Sequence, residues 1–433
     1  MLLAGGLARF CRSERRPRES TAIWADEGAQ DRYPECVTPN DAALVLIPAL
    51  AVVAPLLARM LRPLLRVPIV VFELLLGILV GPAVLGWIAP HDVIDTLADF
   101  GLAMLFFIAG TEIVFAGIRR ATLARASLGW LLSLAAGIGI GLFFAPGEGM
   151  VVVGIALSST ALGTLLPILR DTGDLPTPFG VAVTAIGAVG EFLPLVAISI
   201  FLSTRTTLTA ALVLVGFVVL SIVAIVIARR APHGQLHGIV RATLHTSEQF
   251  GVRFVLMLIA ALVVLSLVLD LDMLLGAFVA GIVWRLVMAR APEADGEAIE
   301  SKVEAIAFGF LVPIFFLSTG VNFDLDALVS DPAVLALVPI FLVALLVIRG
   351  AAAQLSAPTG SSVRDRGALG LFAATGLPII VAVTAIGVEQ QMLDSGVAAA
   401  LVGAGMLSVL LFPVLAMSLR GERVPAAVPQ GEL

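Results

Sequence analysis

The chain has 433 residues, of which 59% are hydrophobic and only 13% charged, about half the ~25% charged share of a soluble domain. That composition excludes a soluble globular protein and leaves no room for a second domain of ordinary size. The net charge of −6 says less than the places where the charges fall.

In chain order, residues 1–40 come first, with both cysteines, Cys11 and Cys36, and the basic residues Arg9, Arg12, Arg15, Arg16, Arg18 and Arg32. No apolar core with a small-residue cleavage site follows them, so they make a poor signal peptide. They read either as a disordered tail or as the result of a start placed too far upstream, with translation beginning near Val37 or Val45.

Apolar runs bounded by charge, Pro or Gly then predict thirteen helices, near 42–61, 67–88, 93–115, 122–144, 149–169, 177–203, 208–228, 250–269, 272–290, 303–322, 332–357, 367–388 and 395–419. Each matches the ~20 residues that an α-helix needs to cross a bilayer. The expected unit is a membrane domain over 41–420, followed by a short cytoplasmic tail at 421–433.

Charge orients the spans. Loops after odd-numbered spans hold the basic residues, among them Arg119, Arg120, Arg170, Arg285, Lys302, Arg364 and Arg420. Loops after even-numbered spans hold Arg205 alone and are acidic, with Asp92, Asp95, Asp270, Asp324, Asp326 and Glu389. The positive-inside rule puts the odd loops and the C-terminus in the cytoplasm and the N-terminus outside. A bacterial inner membrane fits this pattern.

Chemistry needs polar groups where lipid discourages them, since a charge inside a span costs ~2.5 to 3.5 kcal/mol on insertion scales. Glu191 stands near the middle of the sixth span, Thr177 to Ser203. A lone carboxylate there is cheap only when protonated or when it holds a cation, so one site serves two competing ligands. Arg349 lies in the apolar run Val334 to Ala357, nearer its cytoplasmic end, where snorkelling to the interface is the plain alternative. Glu73 in the second span is a candidate ion path or a structural pair, and Glu112 reads as a helix-end residue. His233 and His237 have i, i+4 spacing, but Pro232, Gly234 and Gly238 favour a solvated loop.

Two spans look interrupted. The fifth contains Ser158-Ser159-Thr160 followed by Gly163 and Pro167, and the twelfth contains Thr375-Gly376-Leu377-Pro378. Broken helices at corresponding places in two halves free backbone groups to coordinate cations, a pointer to a secondary-transporter site. With the seventh span as linker, spans 1–6 and 8–13 form two inverted repeats that pair the fifth with the twelfth. The identical heptapeptides Val181–Gly187 and Val381–Gly387 fall in spans 6 and 12, which that pairing does not match, and read as coincidence. The predicted fold is an all-α polytopic membrane protein of about thirteen spans with broken crossing helices.

At this point the residues resemble the monovalent cation:proton antiporter-2 family, with its sodium/hydrogen exchanger-type membrane domain. The resemblance runs over roughly 42–420. It rests on Val67-Pro68 with Gly77 to Pro82, Leu157 to Leu162, Thr177 to Gly180, Leu275 to Phe278 with Ala280-Gly281, and Pro313 to Phe316 with Gly320.

The resemblance implies a homodimer in the membrane lipid. Spans 4–6 and 11–13 would form a mobile core, and spans 1–3 and 8–10 a scaffold. It also implies an ion site on the sixth span, where the family carries Asn-Asp, Gln-Asp or Asp-Asp. The matching positions here are Gly190 and Glu191, which leaves one carboxylate. Arg349 matches a basic residue near that site, as a counter-charge that keeps its proton. Many relatives add a C-terminal nucleotide-binding domain; here the chain stops soon after its last span, so such regulation is expected to be absent or to come from a separate subunit.

The expected function is exchange of Na+ or K+ for H+ by alternating access, with Glu191, Ser158, Ser159, Thr160 and Thr375 binding cation or proton. A gated K+ efflux channel is the alternative. No HExxH, nucleophile elbow or Walker loop occurs, so no enzyme activity, cofactor or nucleic-acid partner is expected, nor any metal beyond the transported ion.

Overall fold

The computed structural model describes residues 39–61, 68–90, 92–112, 119–203, 206–230, 249–288 and 293–420. The expectations for residues 1–38, the cysteines, the four histidines and the tail 421–433 lie outside the described residues.

No strand occurs among the described residues. The helices are α1 Pro39–Leu61, α2 Ile69–Val80, α3 Asp92–Glu112, α4 Arg120–Phe144, α5 Gly149–Ser158, α6 Leu162–Asp171, α7 Pro178–Phe201, α8 Thr207–Arg230, α9 Phe250–Val268, α10 Met273–Met288 and α11 Glu293–Ile306. A π-helical turn, Ala307–Leu311, joins α11 to α12 Val312–Val321. There follow α13 Leu325–Ser330, α14 Pro332–Ala353, α15 Val363–Ala373, α16 Pro378–Glu389 and α17 Ser395–Arg420.

Ten helical stretches among the described residues are long and apolar enough to cross a membrane. Three shorter apolar helices, Ile69–Val80, Leu208–Val223 and Met273–Met288, stand where the second, seventh and ninth spans are expected. The second span ends at Val80 rather than near 88. Gly81 is extended and donates to the Gly77 carbonyl, and the Val80 carbonyl accepts from Trp87 and Ile88 in the following turn.

The helices pack as two groups. In one, α2 lies on α12 and α3 on α10; in the other, α4 lies on α5, and α14 and α15 on α17. Between lipid-soluble helices association depends on close packing, so small residues mark the seams. A Cβ on Gly110 would run into the Phe278 carbonyl, and one on Gly281 into the Phe107 carbonyl. These two glycines let α3 and α10 touch backbone to backbone.

The second group is tied at one end by Arg420. Its guanidinium pairs with Asp174 at 2.7 Å and Asp365 at 3.2 Å, and lies 3.6 Å over the Phe179 ring. Three helical segments, α7, α15 and α17, are thereby linked with the turn after α6.

Both breaks fall at the expected places, for local reasons. The hydroxyls of Ser158 and Ser159 donate to the carbonyls of Ile155 and Ala156 at 3.0 and 2.8 Å. Such back-bonding competes with continuing the helix. Ser159 is extended, and α6 restarts at Leu162. In the second break Pro378 lacks an N–H and disfavours helical geometry at Leu377, whose φ is −144°.

Candidate functional site

The two breaks cross. Ala161 N–H donates to the Thr375 carbonyl at 2.8 Å, and the Thr160 hydroxyl donates to the Ala373 carbonyl at 2.6 Å. α7 passes beside the crossing, capped at its start by Thr177, whose side chain accepts from Gly180 N–H at 3.1 Å with Pro178 in the first turn. Pro194 inside α7 has no N–H to give the Gly190 carbonyl. That carbonyl instead accepts from Thr160 N–H at 3.0 Å, which fastens α7 to the crossing.

Glu191 is 5% exposed. Its Oε1 accepts from the N–H groups of Leu162 at 2.7 Å and Gly163 at 3.3 Å, the first two residues of α6. A helix N-terminus carries partial positive charge and free amide donors, so it suits an anion. The second oxygen, Oε2, is buried and has no partner.

Arg349 is 1% exposed and turns inward, so it does not snorkel. Its Nε donates to Thr160 Oγ1 at 2.8 Å, and its Nη2 to the Ile186 carbonyl at 2.9 Å. Through Thr160 it reaches the Ala373 carbonyl, at the C-terminal and partly negative end of α15. Position 190 has no room for a side chain, because a Cβ there would stand 2.5 Å from Arg349 Nη2 and 2.7 Å from Thr160 Cβ.

The structure thus brings together Glu191, Thr160, Thr375 and Arg349, with Ser158 and Ser159 in the same break. Ser158, Ser159 and Thr375 are fully buried and use their hydroxyl protons on local carbonyls. Each keeps oxygen lone pairs for a ligand. Glu73 stands apart, buried on α2, which packs chiefly on α1 and α12.

Glu112 also approaches the crossing. It does end α3, yet its Oε2 is buried without a partner. A Cβ built on the exposed Gly163 would meet only this oxygen, 3.9 Å away. Gly163 therefore borders two carboxylates, Glu191 through its amide and Glu112 through open space. No local pattern joins positions 112 and 163, and the signal lay only in Glu112 being a carboxylate at the edge of an apolar run.

Between the two helix groups lies a cavity of about 760 Å³. Among the described residues its walls carry Asp95, Asp99, Asp270, Asp272, Asp324 and Glu389 and no basic side chain. The Asp272 carboxylate accepts from the Leu274 N–H at 2.8 Å. Ile198 and Ser199 of α7 form part of the wall, some two turns along from Glu191.

Comparison with known proteins agrees with this architecture. The model of the sodium/hydrogen exchanger family, transmembrane, matches residues 49–417. YjbQ of Bacillus subtilis (strain 168), whose name assigns it provisionally to Na+/H+ antiport, is 24% identical over 86% of this chain. The match spans 62% of that relative's length. The Na+/H+-K+ antiporter GerN of Bacillus cereus is 28% identical over 72% of this chain and 82% of its own.

In three dimensions the chain resembles the sodium proton antiporter MjNhaP1 from Methanocaldococcus jannaschii, with a TM-score of 0.60 and 17% identity. That likeness covers 89% of this chain and 100% of the other, and it concerns the fold. A chain whose described residues hold only helices and their connections, with two broken helices crossed and a family match over residues 49–417, is an integral membrane protein that belongs to the sodium/hydrogen exchanger family.

Proposed function

We propose that the protein exchanges a monovalent cation, Na+ or K+, for protons by alternating access at Glu191. The observation that carries this reading is the division of labour between the two carboxylate oxygens. Oε1 is held by the Leu162 and Gly163 amides, while Oε2 is buried with nothing to bond. An unpaired carboxylate oxygen away from water is costly. A proton satisfies it, and so does a cation.

The cation's ligands are Glu191, oxygens of the crossing from Ser158, Ser159, Thr160 and Thr375, and Glu112 across Gly163. Arg349 keeps its charge throughout. It balances the carboxylate when no cation is bound and opposes a second cation. A gated K+ channel is the other reading, and the match to the sodium/hydrogen exchanger family favours exchange over it.

This reading includes thirteen spans, the N-terminus outside, the C-terminus in the cytoplasm and a bacterial inner membrane. The acidic cavity then faces outward. A homodimer through the scaffold helices α1–α3 and α9–α12 completes it.

The test is Glu191→Gln in proteoliposomes with a pH dye and imposed Na+ or K+ gradients. The amide copies the protonated state and cannot cycle, so exchange should vanish while the protein still inserts. Near-normal exchange in this variant would remove Glu191 from the mechanism.

A further inference from the structure

Three buried polar groups that lack a hydrogen-bond partner fall on α7: Thr184 Oγ1, Glu191 Oε2 and Ser199 Oγ. They are separated by 7 and 8 residues, and at 100° per residue they lie within about 80° of arc. A stripe of unpaired oxygens thus runs along one side of the helix, through the carboxylate. An orphaned hydroxyl in an apolar interior is tolerated where something else completes its bonding.

Ser199 is the member of the stripe on the acidic side. It is 2% exposed, it lines the cavity wall, and its oxygen is shielded from bulk water. Thr384 of α16 lines the same wall. Its hydroxyl donates to the Ile380 carbonyl at 2.7 Å, so its oxygen still has lone pairs facing no other donor. Asp99 of α3 and Glu389 of α16 line the same cavity.

We propose that Ser199, with Thr384, forms a second cation site at the wall of the acidic cavity, where a partly dehydrated Na+ or K+ pauses before it reaches Glu191. The carboxylates concentrate the ion, and the hydroxyl oxygens replace part of its water shell. The remaining step along α7 is 8 residues, about 12 Å. Direct transfer from bulk water to the buried crossing is thereby split into two partial dehydrations. The site rests on the exchange reading for its cargo, and its occupancy can be tested apart from exchange.

The experiment uses the full-length protein in oriented proteoliposomes, with cation added on the acidic face or the opposite face. Ser199→Ala should raise the cation KM five- to tenfold from the acidic face only, with kcat within twofold. Ser199→Thr, which keeps the hydroxyl, should restore the KM. A merely structural role would change both faces alike.

Occupancy is read separately at Ala385→Cys, an exposed cavity-lining position, with Cys11 and Cys36 replaced by Ser. Na+ or K+ should slow its labelling by a cationic thiol reagent severalfold relative to choline at equal ionic strength. This protection should persist in Glu191→Gln and disappear in Ser199→Ala. Equal labelling in Na+, K+ and choline, or an unchanged acidic-face KM in Ser199→Ala, overturns the proposal. Protection in a protein that shows no exchange would keep the cation site and defeat the exchange reading instead.

Discussion

Arg349 occupies the space that a side chain at Gly190 would need, its Nη2 lying 2.5 Å from where that Cβ would stand. The residue beside the carboxylate on α7 is therefore tied to an arginine on α14, seven helices later in the chain. The buried guanidinium fills the space in which the family resemblance implies a polar side chain on α7.

Substitution at this pair should show the dependence. Gly190→Ala must push the guanidinium or Thr160 aside, and overpacking of a tight core costs about 1–3 kcal/mol. Exchange should fall at least tenfold and the melting temperature in detergent should drop. Combining Gly190→Asn with Arg349→Ala should recover stability but not exchange. If Gly190→Ala alone behaves as the unaltered protein, the packing argument fails.

Glu112 bears on stoichiometry. If one cation displaces one proton from Glu191 while Arg349 stays charged, the loaded site has the same net charge in both directions, and exchange is electroneutral. A potential imposed with a K+ ionophore in a Na+ assay should then leave the rate unchanged, although each charge moved would couple to ~2.3 kcal/mol per 100 mV. Glu112→Gln should weaken cation affinity without introducing potential dependence. A potential-dependent rate that Glu112→Gln abolishes would make Glu112 a second proton carrier.

Orientation is open to labelling. Cysteines placed at Asp326 and Arg364 should react with an impermeant reagent from outside and inside the cell respectively, as the split of acidic and basic loops requires. Opposite labelling of both would invert the assignment of the acidic cavity.

The charge of the cavity wall should also matter. Asp272→Asn removes one negative charge from the wall and should raise the cation KM from the acidic face about twofold. An unchanged KM in the variant would show that Asp272 plays no part.

Much of this protein was legible as a row of letters because the bilayer imposes strict local rules. Apolar length marks spans, loop charge marks sides, and a charge within an apolar run is too costly to be idle. Those rules singled out Glu191 and Arg349 as candidates and marked both broken helices, down to the Ser158–Thr160 and Thr375–Pro378 stretches. They act within a few residues, so they carry no information on which helices meet.

Only the tertiary structure decided that the α6 amides hold one Glu191 oxygen, that Glu112 faces Gly163, and that Arg349 excludes a side chain at position 190. The same holds for Ser199, an unremarkable serine in an apolar segment until the folded chain leaves its oxygen without a partner beside an acidic cavity. Hydrogen bonding and close packing act over a few ångströms in space. Residues far apart along the chain come within that range only once the helices have crossed.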